Sequence, residues 1–155
     1  MASNQNDLDF PVGPALEFLR HLWHVNHAVE RRSNRMGKDL GLTVQQRLTL
    51  RCIGRFSGIT AGQLAQLLCI DPGTLSASLR RLEQRGFIER ARDPNDTRRV
   101  TLALTRQGRE FDTPRAGTAE AAADRLLAEL PPEALSTTAQ VLARFCELLE
   151  TAEPE

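Results

Sequence analysis

The sequence predicts a mainly α-helical chain with a small β-wing: a winged helix-turn-helix set between N- and C-terminal helices that serve dimerisation. Three observations carry this. Two short amphipathic stretches meet across the three residues Cys69-Ile70-Asp71, which is helix-turn-helix spacing. A hairpin-like pair of extended runs follows the second stretch directly. Both flanks keep the apolar period of helices. The expected layout is a tail and first dimerisation helix over residues 1–41, a winged lobe over 42–104, and C-terminal dimerisation helices over 105–155.

Phe18, Leu22, Val25, Val29, Met36 and Leu40 recur at spacings of four, three, four, seven and four, one stripe of a helix. Leu16, Leu19 and Trp23 form a second apolar patch rotated away from it, so one face is expected to pack within the subunit and the other to meet a partner. Gly41 ends this helix. Thr43 and Gln46 make a capping-box pair that opens a helix reaching about Phe56. After a break at 57–59 with room for a short strand, Thr60 and Gln63 repeat the box and open a helix with Leu64, Leu67 and Leu68 inward. Asp71 then supplies an N-cap acid before Pro72 at N1, and the helix so opened runs to Arg85 and stops at Gly86. Residues 87–90 lead into the turn-forming cluster Asp93-Pro94-Asn95-Asp96, and Val100, Leu102 and Leu104 alternate on the returning strand. Beyond Thr105, Leu126, Leu127 and Leu130 belong to one helix. Leu135, Leu142, Phe145 and Leu149 belong to the next, divided from it by Pro131-Pro132.

At 155 residues, 41% hydrophobic and 26% charged, the composition is that of a single globular domain with an extension. Six Phe, one Trp and no Tyr make the core aliphatic. No run approaches the ~18 apolar residues of a membrane span, and residues 1–14 lack the basic and apolar regions of a secretory signal. A cytoplasmic protein with no membrane partner is expected. The net charge of zero hides a segregation: nine Arg face four acids between residues 80 and 109, and three Arg face ten acids from 110 onward. Such a basic cluster creates the local field that polyanions seek.

The chemistry falls on the helix over 72–85. Leu75, Leu79 and Leu82 share one side, while Gly73, Ala77, Arg80 and Gln84 share the other, flanked by Thr74, Ser76 and Arg81. Small residues from Pro72 onward let a backbone approach a groove, hydroxyls bond bases or phosphates, and Arg forks onto guanine. Double-stranded DNA is therefore the expected partner. In the hairpin, Arg98 and Arg99 follow a tight turn, placing one of them to enter a minor groove, and Asp96 is placed to pair with an arginine.

The series Leu67-x-x-Ile70-Asp71-x-Gly73-Thr74-Leu75-Ser76, Arg81-Leu82-Glu83-x-Arg85-Gly86-Phe87-Ile88-x-Arg90, Asp93-x-x-Asp96-x-Arg98 and Leu104-Thr105-x-x-Gly108 resembles the MarR family of bacterial transcription regulators over essentially residues 15–150. The resemblance implies a homodimer whose first and last helices form the interface and whose winged lobes straddle a pseudo-palindromic operator. It also implies that a small molecule or oxidant tunes DNA affinity. Two departures stand out. Ala77 occupies a position where the family often carries Arg, which shifts readout to Thr74, Ser76 and Arg80. Pro114 falls inside what is usually one long helix, so a kink near 112–117 is expected, with Thr113-Pro114 as a helix restart.

An effector is less legible. Cys52, Cys69 and Cys146 form no CxxC, and their plain role is that of small hydrophobes. Cys69, in the turn before a helix N-terminus, is the candidate redox thiol. His21, His24 and His27 share the first helix, but no carboxylate there is read as completing a ligand set, so no metal is expected. Trp23 and His27 are candidates to line an effector pocket. No glycine-rich phosphate loop or G-x-S-x-G is present, and Ser76 and Ser78 have no neighbouring His, so neither an enzyme nor a cofactor is expected. The rival reading is a winged-helix module that binds another protein in place of DNA.

Overall fold

A computed structural model of the chain describes residues 12–93, 96 and 99–151. Helix α1 spans Pro14–Asp39, followed by α2 (Val44–Arg55), α3 (Ala61–Leu68) and α4 (Pro72–Gln84). Strands β1 (Ile88–Arg92) and β2 (Val100–Leu104) pair antiparallel with Ile88 opposite Leu104 and Arg92 opposite Val100. Helices α5 (Arg106–Phe111), α6 (Ala119–Glu129) and α7 (Pro132–Thr151) complete the described chain. This is a winged helix: α2, α3 and α4 with a two-stranded wing.

The local chemistry that opens α2, α3 and α4 is as the sequence requires. Thr43 and Thr60 each accept from the N3 backbone while Gln46 and Gln63 reach back, two complete capping boxes. The break between α2 and α3 supplies a single bridge, Thr60 to Thr101, and the Leu102 N–H donates to the Ile59 carbonyl at 2.9 Å. Gly86 turns the chain out of α4 with φ 71°, a left-handed value that a side chain would strain. The Leu104-Thr105-x-x-Gly108 run has an equally local cause. Thr105 caps α5 through the Gly108 N–H, and a Cβ on Gly108 would collide with the Phe87 carbonyl.

The core lies within the lobe, where Leu50, Leu64, Leu75, Leu79, Leu82 and Leu102 are each at most 1% exposed. Leu67, expected inward, is exposed instead, because Leu64 and Ala65 already fill the inner side of this eight-residue helix. The first-helix stripe also divides. Met36 is buried, but Val25 and Val29 are exposed, because the lobe closes its core without α1 and meets only the C-terminal end of that helix. Near its start α1 leans on α7, with the Phe18 and Phe145 rings edge-on at 5.1 Å.

At Pro114 the outcome is a full break and not a kink. Helix α5 stops at Phe111, residues 112–118 are non-helical, and α6 restarts with Thr118 as N-cap. Thr113, expected to open the restart, instead donates its hydroxyl to the Glu110 carbonyl at 3.2 Å, and Thr118 accepts from the Ala121 N–H. No described helix is long and apolar enough to cross a membrane.

Candidate nucleic-acid interface

Helix α4 has two unlike faces. Leu75, Ser78, Leu79 and Leu82 are buried, whereas Pro72, Gly73, Thr74, Ser76, Ala77, Arg80 and Arg81 are all exposed. The solvent face thus begins small and hydroxylated and ends cationic. Asp71 shapes its start, because one carboxylate oxygen accepts from the N–H of Gly73 at 2.9 Å and of Thr74 at 3.0 Å. The amides that would make this helix end an anion site are therefore already bonded. What α4 presents outward is side chains.

The arginines clustered between 80 and 109 are not equivalent. Arg85 donates to the Gly41 carbonyl and lies 4.8 Å over the Phe87 ring. Arg90 pairs with Glu83 at 3.2 Å, and Arg109 donates to the Leu104 carbonyl at 2.7 Å. Arg99 donates to Gln63 Oε1 at 3.1 Å, tying the base of the wing to the cap of α3. The side chains of Arg80, Arg81, Arg92 and Arg106 make no hydrogen bond or ion pair among the described residues. Their charge remains available to solvent, and two of the four sit on the outer face of α4. Arg92, at the end of β1, counted in the sequence only toward net charge. Strand alternation from buried Ile88 puts Arg92 on the inward face, so no sequence signal singled it out; it is exposed because the wing extends past the core.

Across the wing turn, the Asp93 N–H donates to the Arg99 carbonyl and the Arg99 N–H donates to the Asp96 carbonyl, each at 2.9 Å. Arg98 lies outside the described residues, as do residues 94, 95 and 97.

The effector candidates lie elsewhere. Cys69 is exposed and caps α3 in a left-handed conformation, φ 49°. Its thiol lies 3.7 Å from the Gln66 carbonyl, at the carbonyl end of α3, and Asp71 occupies the α4 amides that were expected to favour a thiolate. Cys52 is half-buried, and burial pushes its thiol up. Trp23 is 67% exposed on α1, with His27 Nδ1 at 2.9 Å from its carbonyl, so in the single chain both face solvent. One carboxylate does stand beside the histidines: Glu17 Oε1 lies 3.1 Å from His21 Nε2. Its hydrogen bond from Arg20 holds Glu17 below the usual carboxylate range, with His21 adding to the effect.

Sequence reasoning also missed the residues that join the lobe to its C-terminal helices. Arg47 is fully buried and pairs with Glu120, and Arg51 pairs with Asp112 at 2.8 Å. In the sequence these are two more cations on an amphipathic helix.

The model of the MarR family matches residues 42–100, from the end of the first helix to the start of β2. Residues 42–100 are thus a MarR-family match. It is 40% identical over 68 residues to the HTH-type transcriptional regulator TtmR of Methylorubrum extorquens (strain PA1), a match covering 44% of this chain and 35% of that protein. The chain spans between 35% and 53% of the length of the first curated relatives it matches. The structural likeness runs further. The crystal structure of the transcriptional regulator SlyA is 26% identical, with TM-score 0.68, over 85% of this chain and 93% of that one. Streptococcus pneumoniae FabT, solved in complex with DNA, shares the fold at 24% identity, with TM-score 0.64 over 88% and 98%. The structural likeness thus reaches well beyond the matched lobe, into α1 and the C-terminal helices.

Proposed function

We propose that this chain is a MarR-family, sequence-specific regulator of transcription that binds double-stranded DNA as a homodimer on a pseudo-palindromic operator. The observation that carries the reading is the outer face of α4, where Thr74, Ser76, Arg80 and Arg81 are exposed over a leucine-packed inner side. A helix of that kind enters a major groove with hydroxyls and guanidinium groups toward the base edges. Arg92 and the wing flank the same duplex, with Arg98 assigned to the minor groove and Arg99, held by Gln63, bracing the wing. Repression is the mode proposed, because occlusion of a promoter needs nothing beyond this DNA-facing surface.

The second copy is inferred from unpaid apolar surface. Helices α6 and α7 have no buried residue, and Leu16, Trp23, Leu126 and Leu149 are more than half exposed. Contiguous apolar faces of this kind mark interaction sites. Modulation of DNA affinity by a small molecule or an oxidant completes the proposal, with Trp23 and His27 as pocket candidates and Cys69 as the thiol. The test against a protein-binding role is retention on random duplex DNA. Binding that weakens steeply with salt supports the reading, whereas no binding at low salt removes it.

A further inference from the structure

We propose that Arg47 and Arg51 form a clamp that fixes the direction of α6 and α7 relative to the winged lobe, and so selects the half-site spacing the dimer accepts. The second clause rests on the DNA-binding homodimer proposed above.

Residues 112–118 join the lobe to the C-terminal helices without helical structure, and Pro114 withholds a backbone donor there. Left unsupported, such a stretch is a hinge. Here it is gripped by α2. Arg47 Nη1 donates to the Phe111 carbonyl at 2.7 Å, Arg47 Nη2 to the Thr113 carbonyl at 2.8 Å, and Arg47 Nε to the Glu120 carboxylate. Arg51, one turn further along α2, donates from Nη1 to both the carbonyl and the carboxylate of Asp112. Three consecutive carbonyls at the C-terminal end of α5 thus meet two guanidinium groups, satisfying acceptors that a helix end leaves open. From the other side, Arg32 of α1 donates to the Gly117 carbonyl at 3.1 Å.

The grip matters because these helices share no buried packing with the lobe, and α7 meets α1 at the Phe18–Phe145 edge. No residue of α6 or α7 is buried, so no shared core sets their direction against the lobe. Glu120, in the first turn of α6, closes the clamp on the moving side. Helix α6, gripped in its first turn, has 11 residues, about 16 Å at 1.5 Å per residue. A 10° change at its base would move its far end about 3 Å, close to the ~3.4 Å rise of one base pair. Recognition helices held by such an arm keep one spacing only while the clamp holds.

Arg47→Met is the informative variant, because it fills the site without charge and leaves Glu120, 31% exposed, to water. Spin labels go on native Cys69 of the lobe and on Arg125→Cys of α6, in a Cys52→Ser, Cys146→Ser background diluted with unlabelled chain. The parent is expected to give one narrow distance distribution, and Arg47→Met a distribution at least twice as wide or displaced. An unchanged distribution overturns the clamp, whatever happens on DNA. The second arm uses a duplex selected on this protein from a random library, with its half-sites moved apart or together one base pair at a time. The parent should prefer one spacing at least tenfold. In Arg47→Met that preference should fall below threefold while affinity for a single half-site stays within twofold. A widened distribution with the spacing preference intact overturns the DNA clause alone. Failure of the parent to bind any duplex sinks the proposed function and that clause with it, while the labels still decide the clamp. If Arg47→Met does not fold, Glu120→Gln, which keeps the hydrogen-bonding shape and loses the charge, should widen the distribution, and an unchanged width would overturn the clamp.

Discussion

Arg80 and Arg99 show how two arginines from one basic cluster differ in availability. Arg80 stands on the solvent face of α4 with no partner among the described residues, while Arg99 is hydrogen-bonded to Gln63. If Arg80 reads a base edge, Arg80→Ala should cost about 1–3 kcal/mol at the operator and flatten discrimination at one position per half-site. Competition binding against single-base operator variants checks this, and equal weakening on every sequence would mean a phosphate contact instead. The Cys69 thiol is exposed, and its left-handed backbone sets it beside the last turn of α3. Should it sense oxidants, mild peroxide would lower DNA affinity in the parent and leave Cys69→Ser unaffected. The same response in both proteins would exclude it. At this scale the outward residues of α4 were legible because helical period fixes which side faces the leucines. Arg47 was not, since a buried guanidinium and a surface one have the same sequence signature until the carbonyls of residues 111 and 113 arrive from far along the chain.

The elements were the most legible part of the fold, because their ends are written in local chemistry. Asp71, Thr43 and Thr60 each cap the helix that follows within three residues, so no distant contact is needed to place those starts. Gly108 carries a comparable constraint for the entry to α5: the Phe87 carbonyl occupies the space a Cβ would need. Gly108→Ala should therefore destabilise the lobe by about 1–3 kcal/mol, read as a lower urea midpoint with unchanged slope. A variant as stable as the parent would show that β1 and α5 can separate freely. Pro114 marks where local reasoning stopped short. It signals an interruption, but the depth of the break depends on Thr118 opening α6 and on the distant Arg47 and Arg51 holding the carbonyls of residues 111–113. Neither choice is encoded by Pro114 itself.

For the whole molecule, the lobe encloses a complete core while α1, α6 and α7 hold most of their apolar side chains outward. Patterning made the apolar faces legible. Which of them close within one chain was not, because Val25 and Val29 follow the same period as buried Met36 and only packing separates them. Leu149, 62% exposed near the end of α7, belongs to the face assigned to the second copy. Leu149→Glu should raise the dimer dissociation constant at least tenfold, and Leu142→Glu should act in the same direction, both followed by sedimentation equilibrium. The dimer and the α4 surface act together on DNA, and sedimentation velocity of the protein with a selected palindromic duplex and with its single half-site tests both. The expected result is two chains on the palindrome, far tighter than on the half-site, with affinity falling steeply as salt rises. A monomer at micromolar concentration, or one that binds palindrome, half-site and random duplex alike, would contradict it.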